Sequence, residues 1–560
     1  MSELRFETLC IPAARLGPDN PLPRFPRASR RGKGRKRRKA DPSLTGEDLQ
    51  YMGYGADHGI LPYTIQDGYT RALESSTFRS AVLENETLRA VFLPEMGGRL
   101  WSLLHKPSGR ELLTRNPGIQ LANFALRGAW FSGGVEWNGS VRGHGPFTCA
   151  PLFAARAVTE GGEPVLRLYE WERIRGVPIQ MDFYLPDGSE VLLARMRLVN
   201  PHPIDVPMYW WSNIAVPEAN DVRVVVPARE AIAYDYDNQL RRVPVPHHRE
   251  RDVTYSTNLD GAIDFFYCLG KQQWPWIAAL DGSGSGLFQA STARLRGRKL
   301  FAWGTGPGGK RWQQFLAAGG PPYIELQAGL ALTQSHCLPM PAGVTWEWLE
   351  AYGFVEAPAD AVHGNDWSAA QAEVEARIQH VVTPPRLEDE LLSSSPMADE
   401  PPAEIVQRGS GWGALELQRR SAGGEPPFCS RALVFGAESM GAEQEPWACL
   451  LGTGAMPQSR PEDTPRSWMV QPEWRAMLEE SVAHRGAHWL SWLHLGVMRH
   501  SAGEYEAARA AYEASAECAP SALAYRNMAV LARAEDRRDE AADLWTRAVE
   551  LAPHVVPLIL

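Results

Sequence analysis

The sequence predicts a chain of two unlike parts: a mainly β, antiparallel sandwich over residues 1–356 and a helical repeat region over 471–560, with a mixed stretch at 357–470 between them. Three observations predict this. From Tyr51 to about Glu356, short runs rich in β-branched and aromatic residues alternate with NE, DG, GG and NP turn signals. The runs are Phe78 to Val82, Leu88 to Phe92, Val165 to Trp171, Ile179 to Leu185, Val191 to Val199, Val222 to Val226 and Trp276 to Leu280. Helical periodicity is scarce over the same span, so many strands in two stacked sheets is the economical architecture. In the last eighty residues, Trp492, Leu495, Gly496, Ala508, Tyr512 and Pro520 recur 33 positions later as Tyr525, Met528, Ala529, Ala541, Trp545 and Pro553. Small residues stand there where paired helices would touch, and large ones where they would fill between.

Composition bounds the function classes. A chain of 560 residues is too long for one ordinary core. A net charge of −9 argues against nucleic acid as the main partner. Seven cysteines, scattered and without a C-x-x-C pair, fit reduced thiols in a cytoplasm better than a disulfide framework or a zinc site. The opening MSELRFETLC carries charges where a signal peptide needs an apolar core, and no run approaches the roughly 20 apolar residues of a membrane span. The expectation is a cytoplasmic protein with no membrane contact.

In chain order, residues 1–26 are apolar and proline-rich enough to lie along a domain surface. Arg27 to Lys39 carries nine basic residues and no acidic one, which reads as a solvated, flexible loop over 27–41. Contact with nucleic acid or anionic lipid is the sharper reading of that block, but it lacks the interleaved aromatics that stack bases.

The stretch GAWFSGGVEWNGSVRGHGPFTCAP, Gly128 to Pro151, gathers Trp130, Phe131, Trp137, Glu136, Asn138, Arg142 and His144 on a glycine-broken backbone. Such a chain is poor material for a helix or long strand. It reads as a shaped loop that offers polar groups beside indole faces, a mixture suited to a sugar's C–H faces and hydroxyls. A glycine-rich turn whose tryptophans plug a core is the plainer alternative.

The run LPEMGGRLWSLLHKPSGRELL, Leu93 to Leu113, resembles the opening of the galactose mutarotase and aldose epimerase superfamily. YIELQAG at Tyr323 to Gly329, followed by LPMPAGVTWEW, is similar to that superfamily's late carboxylate-bearing strand and the turn after it. More closely, NPLP at Asn20 to Pro23, YMGYG at Tyr51 to Gly55, AWFSGGVEWN with GHGP, YWWSNIAV at Tyr209 to Val216, and YIELQAG together look like the DUF5107 family, often fused to tetratricopeptide (TPR) repeats. The 33-residue recurrence at the C-terminus is similar to that repeat, one residue short of the usual 34.

The resemblance implies a large mutarotase-type β-sandwich with a sugar cleft on a concave face. Its enzymes use a carboxylate base on the late strand and a histidine acid on a mid-chain strand, since ring opening removes a proton from the anomeric hydroxyl and gives one to the ring oxygen. Glu325 matches the base; a Glu paired with an arginine in a sheet is the plain alternative. The histidine is missing: after PHPIDVPM the chain reads Tyr209, Trp210, Trp211, Ser212, Asn213. His144 resembles in position the superfamily's second, substrate-orienting histidine, and could be acid, orienter or a satisfied loop residue. Glu136 lies eight residues before it and could form a carboxylate pair with Glu325, about 5 Å apart for a retaining glycosidase and roughly 6.5–9.5 Å for an inverting one.

Two function classes follow. One is an enzyme acting on a glycoside or free sugar through Glu325, Glu136 and His144, with Trp137, Asn138, Arg142, Trp210, Trp211 and Asn213 binding the substrate. The other is a sugar-sensing or scaffold protein whose repeats dock a protein partner. Neither calls for a cofactor or metal: His247 and His248 lack a third ligand at metal spacing, and the glycine runs at Gly282 to Gly286 and Gly304 to Gly309 lack a P-loop context and read as hairpin turns. Asp235 and Asp237 could hold a hydroxyl or calcium, or stand on an ordinary exposed strand. Beyond Glu356, Trp367 to His380 has helical spacing, Thr383 to Glu404 reads as an acidic, proline-rich linker, and GALELQ at Gly413 to Gln418 as a strand. Two repeats are too few to stand alone, so they should lean on a helix at Pro472 to Ala483 or on the β-domain.

Overall fold

A computed structural model of the chain describes residues 1–25, 39–56 and 58–553. The basic block read from the sequence lies outside the described residues as far as Arg38. Its end, Lys39–Ala40, forms a short parallel pairing with Gln239–Leu240.

Two large sheets stack to make the sandwich. The first, of 13 strands, has at its centre the order Arg99–His105, Val135–Gly139, Trp210–Pro217, Tyr323–Gly329, Gly297–Ala302, Ile263–Tyr267. The second has 9 strands, among them Pro164–Glu172, Val177–Tyr184, Val191–Val199 and Thr345–Glu356. Apart from the short pairing at Lys39, the ladders named are antiparallel.

Alternation along the central strands sorts residues between the two faces of the first sheet. Trp137, Trp210, Ile214, Ile324, Leu326, Leu300 and Phe265 turn inward and pack in one core with Leu168, Phe183, Met196 and Trp348 of the second sheet. Glu136, Asn213, Glu325, Gln327, Lys299 and Asp264 occupy the alternate positions, on the outer face.

The stretch read as one shaped loop is partly strand. Gly128–Trp130 and Val135–Gly139 are both paired, the latter in the central sheet. Its turn needs glycine: Gly134 has φ of +66°, and a Cβ there would lie 2.1 Å from the Leu100 carbonyl oxygen.

Residues 384–399 are not a linker. They form helices Pro384–Ser393 and Ser395–Asp399, with Leu387, Met397 and Ala398 buried. Outward-facing arginines of the second sheet hold the carbonyls of these helices: Arg167 donates to the Met397 carbonyl at 2.9 Å while ion-paired to Asp182, and Arg195 donates to the Leu391 carbonyl at 2.5 Å and also to Ser394 Oγ at 2.8 Å. Proline at a helix start costs nothing, because the N–H it lacks there would be unpaired anyway. GALELQ is likewise helical, within Trp412–Ala422, where Glu416 meets Arg419 and Arg420 at 2.8 and 2.9 Å. Two alternations are too short to separate a period of 2 from one of 3.6. The GTGPGG run is also no hairpin turn, because Gly306 caps helix Pro307–Leu316.

The repeat region is four helices, Trp489–Ser501, Tyr505–Cys518, Ala522–Ala534 and Arg538–Leu551. Gly496 and Ala529 sit buried at their contacts, and a Cβ on Gly496 would lie 2.4 Å from the Tyr512 ring. The repeats lean on both supports expected of them. Trp474 and Leu478 of helix Pro472–His484, and Phe153, Tyr169 and Trp171 of the second sheet, share one apolar cluster with Leu493, Tyr512 and Leu531. The N-terminal segment packs on the same region: Trp468 Nε1, just before helix Pro472–His484, donates to the Pro21 carbonyl at 3.0 Å, Arg526 donates to the Pro23 carbonyl at 2.8 Å, and Phe25 stacks on His500 with ring centroids 3.5 Å apart.

Candidate active site

On the outer face of the first sheet, the strands Val135–Gly139, Trp210–Pro217 and Tyr323–Gly329 lie side by side in a register that puts Asn213 opposite both Glu136 and Gln327, with Ala215 opposite Glu325. This places the two carboxylates on one face, either side of the Trp210–Pro217 strand. Above them opens a cleft of about 630 Å³, and both Glu325 and His144 line it.

Glu136 is buried and fully engaged. Its Oε2 accepts from Trp130 Nε1 at 3.0 Å and lies 2.8 Å from His144 Nδ1, its Oε1 accepts from Thr148 Oγ1 at 2.5 Å, and Arg99 Nη2 stands 3.7 Å from Oε1. Burial works against its charge, but His144 and Arg99 outweigh it and hold the carboxyl well below the usual carboxylate range. Arg99 is itself anchored, donating to the Gly133 carbonyl at 2.8 Å with its guanidinium over the Phe131 ring.

Glu325 is the opposite case. Burial pushes its pKa up, only partly offset by His144 and Lys299. Its hydrogen-bonding partner is Gln327, whose Nε2 donates to Oε2 at 3.1 Å. Gln334 donates in turn to Gln327 at 2.7 Å, and Lys299 donates to Gln334 at 2.8 Å while paired with Asp264 at 2.8 Å. The chain of donors runs along the cleft floor, and every member but Asp264 lines it.

Of the residues the sequence singled out, the structure brings Glu325 and His144 into the cleft, with Glu136 directly behind His144. Asn213 stands between the carboxylates on the same face, buried, with its Oδ1 unpartnered. Trp137 and Trp210 correct the expectation of sugar-binding rings. Strand alternation turns them to the inner core, where their Nε1 atoms reach Tyr352 OH at 3.2 Å and Glu350 at 3.3 Å. Trp211 is on the outer face but buried against Phe266, covering Gly329, and does not line the cleft. The side-chain Oδ1 of Asn138 accepts from the Gly145 N–H at 2.7 Å, clamping the loop that carries His144. Arg142 is half-buried with its field on His336 and Cys337, also off the cleft.

The rings that do wall the cleft are Phe124, Trp130, Tyr236, Phe301, Trp303 and Trp312. Of these, the sequence reading takes up Trp130, in the glycine-rich stretch, and none of the other five as a sugar-binding ring. A signal was present in KLFAW, Lys299 to Trp303, and in YIELQAG: alternation next to the Glu325 strand puts Lys299, Phe301 and Gln327 on its face.

The other candidates are structural. Asp235 and Asp237 both pair with Arg241. His247 and His248 form a two-residue ladder with Arg251 and Asp252. Among the described residues, no group of three or more His, Cys, Asp or Glu is placed to hold a metal ion, and no helix is long and apolar enough to cross a membrane.

Comparison with solved structures finds a TPR-domain containing protein from Parabacteroides distasonis, 18% identical, with a TM-score of 0.65 over 99% of this chain and 80% of that one. That likeness shows the two-part fold along the whole chain. Galactose mutarotase-like proteins from Clostridium acetobutylicum and Lactobacillus casei align at TM-scores of 0.37 and 0.36 and 9% and 10% identity, covering 50% and 49% of this chain and 96% and 99% of theirs. The family model described as domain of unknown function DUF5107 matches residues 56–342, just over half of the 560. The chain belongs to the DUF5107 family.

Proposed function

We propose that the chain is a carbohydrate-active enzyme that opens and recloses a sugar ring in the outer-face cleft, with Glu325 and His144 as the proton-exchanging pair. The observation that carries this reading is the unlike treatment of two carboxylates on one sheet face, Glu325 lining the cleft and Glu136 buried behind His144. Glu325 is held towards its neutral form, while Glu136 is held ionised behind His144. Environments that push two titrating groups apart are what acid–base chemistry requires. Glu325, ionised, takes the proton of the anomeric hydroxyl. His144, with Nδ1 on Glu136, gives a proton from Nε2 to the ring oxygen, and the ring C–O bond breaks to leave an open-chain aldehyde. Reclosure on the other face returns both protons.

Glycosidase chemistry is the weaker enzyme reading. It needs a second carboxylate that a sugar or water can reach, and both oxygens of Glu136 are taken. A sugar sensor without turnover is the second reading, favoured by the lack of a histidine at Tyr209 to Asn213. In it the repeats would dock a protein partner. We take the seven unpaired cysteines to mark a reducing, cytoplasmic setting.

The test is anomer exchange, followed by NMR, across a panel of free hexoses and pentoses, with aryl glycosides in parallel. Catalysed exchange that disappears in Glu325→Gln supports the enzyme. Glycoside cleavage without exchange overturns the ring-opening step, and saturable binding with neither reaction leaves the sensor.

A further inference from the structure

The cleft changes character from floor to mouth. Its floor is polar and closed, with Glu325, Lys299 and Gln327 each 5% exposed or less. Its mouth is aromatic and open: Phe124 is 38%, Trp312 43% and Tyr236 52% exposed. Among the described residues, the aromatic side chains exposed to this degree are these three and Tyr51. Three of the four therefore sit on the rim of one cleft, where a random scatter would spread them over the surface.

The rim rings are held in place. Phe124 meets Trp312 edge to face at 4.8 Å and Trp130 at 5.6 Å, and Trp312 lies over Trp303 at 6.3 Å with planes 27° apart. Trp303 meets Phe301 at 4.9 Å, and Phe301 meets Tyr236 at 6.4 Å. A continuous collar of six rings thus runs around the mouth, outer members solvent-facing and inner members buried. The cleft between floor and rim measures about 630 Å³.

We propose that the collar is a second sugar subsite, with Trp312 and Phe124 stacking on the next ring of a chain, so that the substrate is an oligosaccharide or its reducing end and not a lone monosaccharide. This rests on the sugar reading of the floor. The floor supplies the charged and amide partners that one ring's hydroxyls need. Exposed, rigid aromatic faces one ring further out supply what an adjoining sugar's C–H face needs, and a free monosaccharide at the floor would leave them wet.

The test is a binding series by calorimetry on the full chain, with glucose, galactose and mannose set against cellobiose, maltose, lactose, mannobiose and the matching trisaccharides. For the sugar that binds, the disaccharide should bind about tenfold more tightly than the monosaccharide. Trp312→Ala and Phe124→Ala should each remove most of that preference, while Trp312→Tyr, which keeps an aromatic face, should retain it. Equal affinity for mono- and disaccharide, or an equal loss of both in Trp312→Ala, overturns the subsite and leaves the floor reading standing. Binding of no sugar in the panel overturns both together.

Discussion

His144 Nδ1 stands 2.8 Å from Glu136 Oε2, and the contact sets which end of the imidazole faces the cleft. With Nδ1 donating to a carboxylate held ionised, Nε2 is the nitrogen left to exchange a proton with a substrate. The Glu136 carboxylate also has Trp130 and Thr148 as donors, so its direction is fixed before any ligand arrives. Trp130 packs 4.7 Å from the His144 ring and holds it from the side. A loop histidine thereby gains the orientation that a strand histidine would have by geometry alone.

Glu325→Gln keeps the shape of the floor and removes its proton acceptor. Turnover should fall by roughly 10²–10⁴ with sugar affinity changed far less, read from kcat and KM in the anomer-exchange assay. Burial raises the Glu325 pKa, so the acid limb of the wild-type rate profile should lie above the ordinary carboxylate value near 4.5, with activity rising as pH increases through it. An acid limb at or below 4.5 would assign the base elsewhere.

The same substitution at the two glutamates should move stability in opposite directions. The folded chain holds the Glu325 proton more tightly than the unfolded chain, so ionised Glu325 lowers stability once pH exceeds the ordinary carboxylate value, and Glu325→Gln should raise the thermal midpoint at pH 8. Glu136 is depressed, so its contribution is present at neutral pH. Removing its charge also leaves the buried Arg99 without its anion. Glu136→Gln should cost about 3 kcal/mol, measured by urea unfolding at pH 7. A Glu136→Gln protein as stable as wild type would mean the buried network carries no net charge.

How much of the site was legible turns on one error of period. Glu136 and Trp137 are neighbours in sequence, and a loop reading puts both on one surface. Once Val135–Gly139 is a strand, neighbours must face opposite ways, and Trp137 goes to the core with Trp210. The reading of Glu325, Glu136 and His144 rests on chemistry and motif order, which do not depend on register, and the structure puts Glu325 and His144 in the cleft with Glu136 behind His144. Phe124 and Trp312 were invisible for a different reason. Each lies outside the glycine-rich stretch, on a short hairpin and a helix that only the fold brings to the cleft mouth. The repeats were the easiest part, because a 33-residue recurrence with Gly496 and Ala529 at matching positions already encodes the helix contacts.

Gly496→Val tests that contact. A Cβ at this position would overlap the Tyr512 ring, and valine adds two methyls beyond it. Tyr512 is itself buried, so the helices Trp489–Ser501 and Tyr505–Cys518 must part. The expected cost is roughly 1–3 kcal/mol, seen as a lower unfolding midpoint of the helical signal. No loss of stability would show that this helix pair tolerates spreading.

Acid should loosen the repeats before the sandwich. His494 lies between Trp447 and Trp468 at 4.8 and 5.1 Å, and His500 is stacked on Phe25 and 3.4 Å from Tyr512 OH. Burial pushes both imidazoles down to about 3, helped at His494 by His488 and at His500 by Arg526. Both are neutral in the folded chain and take up protons in the unfolded one below about 6.5. Their contribution to stability is therefore full above pH 6.5 and is lost as pH falls from there towards 3. At pH 5 the two together should cost about 4 kcal/mol, a large fraction of a typical domain's stability. Hydrogen exchange should then show amides of Trp489–Ser501 and Ala522–Ala534 losing protection at pH 5, together with the N-terminal segment that Phe25 anchors, while Tyr323–Gly329 in the central sheet stays protected. His494→Leu with His500→Leu should remove most of that pH dependence. Repeat helices as protected at pH 5 as at pH 7.5 would mean that both rings find room to take a proton where they are.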